Sequence, residues 1–370
     1  MKTDALFAVV VPRPLPRGLV CFRCWPRRVF FIVMLGMALN ASAKEEEQAS
    51  PINSLDQSAL QETFRLLRQN YIQRDQLTLE DLNRAALAGL LERLDFGAEL
   101  VERDTTNAPA AETAAPIHEK LTDTIAYLRP RSFAAETLPA FDAALAALRG
   151  EKNITLILDL RTPAPPADFS VAAQMLSRFV PAGQPLFTVQ KPDDPAPRRF
   201  QSTEAPLWTG PLALLIDDEC NNAAETVAAV LLRALKPPVF GSATLGRTME
   251  YQATPISATH ALRFASAEMR LPDGTSLFRK GLTPTLAAPR DAEAKGKIFT
   301  AHAEEGVKKF ITNPERPRHN ERALVENTAP ELPYQIAKAA GETTEYDQPP
   351  LQDRVLQTAV DVLMAREFLK

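Results

Sequence analysis

The stretch Ile154-Thr155-Leu156-Ile157-Leu158-Asp159-Leu160 carries apolar residues along both sides of a strand, and Leu212-Ala213-Leu214-Leu215-Ile216 does so again. A strand with one wet face alternates polar and apolar side chains, so an unbroken apolar run needs cover on both faces. Such strands belong inside a parallel sheet, where neighbours are joined by long crossovers, usually helices. The surrounding sequence supplies them. Thr124–Arg129 reads as a short strand, Ala135–Leu148 as an amphipathic helix closed by Gly150, and Phe169–Phe179 as a helix. Ala223–Leu235 reads as another helix and Val239-Phe240 as a short strand. The pattern predicts an α/β fold with a largely parallel sheet and covering helices.

Upstream of this core, Leu55–Leu94 has a helical period: Phe64, Leu67 and Tyr71, then Leu82, Ala86, Leu90 and Leu94 recur at three and four. A break near Gln73–Thr78 splits it into two helices. The alanine- and proline-rich stretch from Asp104 to Ile117 reads as a linker. A last helix, Leu351–Leu369, carries Val355, Val360, Leu363 and Phe368. The expected division is a signal peptide over 1–43, a helical segment over 44–103, a linker over 104–121, a core over 122–290 and a C-terminal extension over 291–370.

The 42 basic and 46 acidic residues leave a formal charge of −4, which gives no electrostatic case for nucleic acid. Arg27-Arg28, the apolar run Val29–Leu39, Ala41-Ser42-Ala43 and then Lys44 describe a secretory signal with cleavage after Ala43. Retained, the same run is a membrane anchor, the one route to a membrane that the sequence offers. Cys21 and Cys24 lie upstream of the run, so the mature chain keeps Cys220 alone and forms no internal disulfide. Export without disulfides suits the periplasm or cell envelope of a bacterium. His118, His260, His302 and His319 have no metal-ligand spacing, and neither metal nor cofactor is expected.

The order of these segments resembles the C-terminal processing peptidases, or tail-specific proteases, which are serine peptidases with a Ser–Lys dyad on a fold similar to Clp protease and crotonase. The likeness runs over 55–95, 122–290 and the last helix. It is carried by TIAYLRPRSF (124–133), ITLILDLR (154–161), the turn into Asn222-Ala223-Ala224-Glu225, Leu245-Gly246-Arg247-Thr248, and Gly281-Leu282-Thr283-Pro284. The resemblance puts Asn222 at the nucleophile position and Arg247, twenty-five residues on, at the position of the lysine base. Tyr251 stands where a glutamine would steady that lysine, with Gln252 one place late. Pro165-Pro166 fall on the loop expected to donate a backbone N–H to the oxyanion. Most members insert a peptide-binding PDZ domain before the core; here fewer than thirty residues, between Leu94 and Thr122, occupy that place.

An amide does not attack a carbonyl, a guanidinium keeps its proton, and proline has no N–H to give. The resemblance therefore implies a divergent member without an intact catalytic residue, one that binds a peptide, an unfolded protein segment or an active peptidase relative. The alternative is an active serine-type endopeptidase using displaced residues. Cys220 reads as a buried strand-end cysteine, or else as a substitute nucleophile; Ser242, Thr244 and Thr248 are hydroxyls in the same region. Glu225 is expected to serve the dipole of its helix. Asn222 and Arg247 together could hold a peptide carbonyl or carboxylate, or Arg247 pairs with an acidic neighbour and maintains the fold.

Overall fold

The computed structural model describes residues 56–103, 114–149, 154–162, 169–288, 291–311, 339–341 and 351–368. The proposed signal, Pro165, Pro166 and His319 lie outside them. The chain divides into two compact units, 1–85 and 86–370. In the first, helix α1 (Gln57–Asn70) starts at Asp56, whose carboxylate accepts the Ala59 N–H at 2.7 Å. Helix α2 (Leu79–Leu94) begins in the first unit and ends in the second. Neither helix buries a residue, and Ile72 between them is 92% exposed.

The second unit is built on two sheets. In chain order its elements are β1 (Ala98–Glu102), β2 (Ile117–Lys120), β3 (Ile125–Arg129), α3 (Leu138–Leu148), β4 (Thr155–Asp159), α4 (Phe169–Ser177), β5 (Pro185–Gln190), β6 (Arg198–Gln201) and β7 (Leu212–Ile216). There follow α5 (Asn222–Leu235), β8 (Val239–Gly241), β9 (Met249–Pro255), β10 (His260–Arg270), β11 (Leu286–Ala287), α6 (Ala292–Glu305) and α7 (Arg354–Phe368). The six-stranded sheet has the order β11-β8-β7-β4-β3-β2. Its strands are parallel except β2, which runs antiparallel at the edge.

The apolar runs behave as their composition requires. β3 and β7 are buried at every position, and Leu156, Ile157 and Leu158 of β4 are sealed. Even-numbered Leu156 and Leu158 join α3, α4 and α5 in one core, while Ile157 joins Val307, Ile311, Val355, Leu356 and Leu363 in a second core on the other face. The α/β class with a covered, largely parallel sheet is borne out.

One expected boundary moves, and the structure adds two features. The sheet begins at Ile117, inside the stretch read as linker: β2 has one apolar residue among four, enough for an edge strand whose partner β3 supplies the burial. Of the C-terminal extension, the described α6, the turn Lys308–Phe310 and α7 bring apolar side chains that cover one sheet face. The segments after Pro185 and Met249 form a second, antiparallel sheet, β1-β10-β5-β6 with β9 on β10. Its half-buried strands lack the continuous runs that disclosed the first.

Candidate active site

The turn after β7 leads through Asp217 to Asn221, which caps α5 in an extended conformation, and into Asn222 at φ +42°. Positive φ is costly for a residue with a Cβ and least so for asparagine among non-glycines. Asn222 is 5% exposed. Its backbone N–H donates to the Arg247 carbonyl at 2.8 Å. With the amide oriented so that its nitrogen faces acceptors, Nδ2 donates to the carbonyls of Arg247 at 2.9 Å and Met249 at 3.1 Å. The Asn222 side chain is thus a clasp between the start of α5 and the start of β9.

The loop 244–248 is held from several sides. Glu225 Oε1 accepts from the Thr244 hydroxyl and from the Gly246 N–H, the latter at 2.8 Å. Burial pushes the Glu225 carboxyl up, opposed by these bonds and by the Arg247 N–H and charge. Glu225 does lie in the first turn of α5, as a dipole role requires, but it also anchors the loop. Gly246 is at φ +75°, and a Cβ there would stand 2.1 Å from the Leu277 carbonyl oxygen. Gly281, at φ +64°, would meet the Thr244 oxygen at 2.0 Å. Both close approaches exclude any side chain.

Arg247 does not pair with an acid. Among the described residues no carboxylate forms an ion pair with its guanidinium; the guanidinium carbon lies 5.3 Å from the centre of the Phe96 ring, and Nε is buried without a protein partner. Tyr251 is spent on the same turn: its hydroxyl donates to the Phe96 carbonyl at 2.6 Å, and burial pushes its pKa up. Phe96 also stands edge-on to Phe278, with centres 5.7 Å apart. The turn Asp95–Gly97 is therefore fastened over the site by residues at the base position and four places beyond it. Gln252 is exposed on β9.

The substitutes fare no better. Cys220 is fully buried, and burial, with the Glu225 charge next, raises its thiol well above the ordinary range, so the thiolate is scarce. Thr244 is engaged by Glu225 and by the Leu282 N–H, while Thr248 Oγ1 is buried without a protein partner. Ser242 lines a cavity of about 570 Å³ at the carboxyl ends of β4, β7 and β8, together with Lys295. Lys295 donates to Asp217 at 2.5 Å and to Glu219 at 2.6 Å. His118 lies on β2, His260 on β10 and His302 on α6.

A buried charge lattice was not anticipated from sequence. Arg161, 2% exposed, donates to Asp159 (2.9 and 2.7 Å) and Asp353 (3.0 and 2.7 Å). Asp353 also accepts the Leu356 N–H and so caps α7, and Tyr127 donates to Asp159 at 2.7 Å. An Asp and an Arg two residues apart at the end of a buried strand were the available signal.

Residues 124–288 match the model of peptidase family S41. Over these residues the chain is similar to that family. Among solved structures it is similar to the photosystem II D1 C-terminal processing protease, with 17% identity and a TM-score of 0.40 over 57% of this chain and 53% of that one. A Parabacteroides merdae protein described as a peptidase gives 17%, a TM-score of 0.49, and 66% and 85% coverage. Mature CPAF gives 12%, 0.37, and 55% and 52%. The chain spans about half the length of the first and third of these. No curated protein matches it. Within the matched residues, the backbone N–H and the side-chain amide of Asn222 both meet the backbone carbonyl of Arg247. Among the described residues no helix is long and apolar enough to cross a membrane.

Proposed function

We propose that this S41 homologue binds an extended peptide or protein segment without cleaving it, in the periplasm or envelope of a bacterium. The observation that carries the reading is the use made of the dyad positions. The Asn222 amide clasps two carbonyls, and the Arg247 guanidinium lies on Phe96. A Ser–Lys hydrolase needs a free hydroxyl and a lysine neutral enough to take its proton. Loss of such a nucleophile costs about 10⁶ in kcat. Fourteen residues, 103–116, separate β1 from β2, too few for a folded peptide-binding domain, so the core itself presents the peptide.

The test is hydrolysis of casein together with labelling by a fluorophosphonate and by a thiol-reactive probe. No turnover and no stoichiometric label are expected; one labelled residue per chain would establish a hydrolase. That second reading has one specific observation in its favour, Ser242 sharing a cavity with Lys295, but the Lys295 amine is hydrogen-bonded to Asp217 and Glu219 and the Ser242 hydroxyl has no protein partner. Export is tested by N-terminal sequencing of secreted material, which should begin near Lys44; a retained Arg27 segment would show an anchor instead.

A further inference from the structure

β10 has two edges, and they are used differently. On one, β9 pairs from Ala261 to Glu268. On the other, β1 takes His260–Phe264 and β5 takes Glu268–Arg270. Among the described residues, Ala265, Ser266 and Ala267 have no strand beside them on that second edge. At about 3.4 Å per residue the interruption is roughly 10 Å long, room for three residues of an added strand. A cavity of about 370 Å³ opens there, lined by Gln190, Lys191, Pro192, Met249 and Phe278 as well as β10.

The interruption is built rather than frayed. β1 is led in by the fastened turn Asp95–Gly97, and Phe278 closes against Gly97, whose Cβ position is 3.6 Å from the ring. At the other end Pro192 turns the chain away just after β5. A bulge sits in the same place: Ala265 pairs with Tyr251 and Ala267 with Glu250, leaving Ser266 between. Bulges interrupt pairing and collect beside binding sites. The small side chains at 265–267 leave the backbone approachable, and an unpaired strand edge is a template for another chain.

The charge of the slot selects the occupant. Glu268 accepts from Arg270 and from the Ser276 hydroxyl, so its charge is spent. Lys191 is exposed at the rim and has no ion pair among the described residues. We infer that Ala265–Ala267 is a strand-addition site for an extended, acidic peptide segment. This rests on the peptide-binding reading above and moves the binding position from the Asn222 and Arg247 side chains to the edge of β10. Met249 links the two places, lining the slot while its carbonyl accepts from Asn222.

The test uses fluorescein-labelled (Val-Glu)₃, (Val-Lys)₃ and (Pro-Glu)₃ hexapeptides in anisotropy titrations with the full chain, followed by hydrogen exchange. The acidic valine peptide should bind about fivefold tighter than the basic one, the worth of roughly one exposed charge pair. The proline peptide, which cannot complete a ladder, should not bind, and Lys191→Glu should reverse the order of the first two. Slowed exchange should appear within 263–270. Binding that ignores Lys191→Glu, or protection confined to 220–248, would overturn the slot and leave peptide binding standing. If no hexapeptide binds but the protein still captures unfolded casein, the slot alone fails; if neither binds, both readings fail.

Discussion

The ends of β4 and β7 lie side by side in one sheet and are finished in opposite ways. After β4, Arg161 places four donated hydrogen bonds on Asp159 and Asp353, and those carboxylates also accept from Tyr127 and the α7 backbone. After β7, Glu225 Oε2, Thr226 Oγ1, Arg247 Nε and Thr248 Oγ1 are buried without protein partners. The charges of Arg161, Asp159 and Asp353 are paired in a low-dielectric interior, although Thr162 Oγ1, Arg129 Nε and His302 Nε2 around them are buried without protein partners. Breaking the pairing exposes bare charge. Buried polar groups without protein partners call for an explanation, and a binding or reacting site is one. The first region holds the fold; the second is the candidate site.

The largest expected effect separates the two directly. Arg161→Met should destabilise by about 3–5 kcal/mol, because Asp159 and Asp353 would stay buried without their cation. Arg247→Met removes a stack on Phe96 and should cost about 1 kcal/mol. Guanidinium denaturation of both variants decides the matter, and equal costs would erase the distinction. Leu158→Ala, in the strand that carries the lattice, sets the scale for pure packing at about 2–5 kcal/mol.

The two regions should also answer pH with opposite signs. Burial first, then the Arg129 guanidinium, lower the His302 pKa to about 4 from 6.5, and His302 packs beside Tyr127. Its folded pKa lies below the unfolded one, so the stability it permits is whole above pH 6.5 and is lost as pH falls toward 4. The loss is about 2–3 kcal/mol. Asp159, despite burial, is held at about 2 chiefly by Arg161, so its contribution is present above pH 3.8 and disappears as pH falls toward 2. Glu225 runs the other way: with a raised folded pKa, protonation relieves a buried charge and favours the fold as pH drops through that value. Denaturation at pH 7, 5.5 and 4 should show a decline that His302→Gln flattens; Glu225→Gln should steepen it.

Much of the scaffold was legible because continuous apolar runs permit few arrangements. β3, β4, β7 and β8 and the helices α3 and α5 follow from them within a residue or three. The antiparallel sheet was not legible, since β10 is mostly half-buried and shows no clean alternation. At the site, Asn222 and Arg247 could be placed by spacing, but their partners could not. Phe96 lies about 150 residues upstream of Arg247, and nothing local marks an aromatic ring as the rest for a guanidinium. Lys295 meets Asp217 and Glu219 across 78 and 76 residues of sequence.

A smaller effect is expected where the second region still does structural work. Asn222→Ala removes both side-chain donors from the Arg247 and Met249 carbonyls and puts a less tolerant residue at positive φ. About 2–3 kcal/mol should be lost. Asn222→Gly, which relaxes the backbone while losing the same bonds, should cost less. The reverse order would mean that the clasp matters little and the backbone angle is not strained.

The smallest expected change is in activity. Asn222→Ser with Arg247→Lys restores the residue types of a Ser–Lys dyad, and casein turnover should nevertheless stay at background. A lysine at 247 would stand near the buried Glu225 carboxyl, whose charge favours the ammonium rather than the free amine. The serine would inherit φ +42°, without the amide that now braces it against two carbonyls. If Pro165 and Pro166 fall on the oxyanion loop as the resemblance implies, they have no N–H to offer there, a deficit worth about 3–4 kcal/mol of barrier by itself. Adding Glu225→Gln to the double variant removes the charge that pins the lysine, so any trace of recovered turnover should come from the triple variant first. Turnover by the double variant alone would show that the second region kept its chemistry as well as its shape.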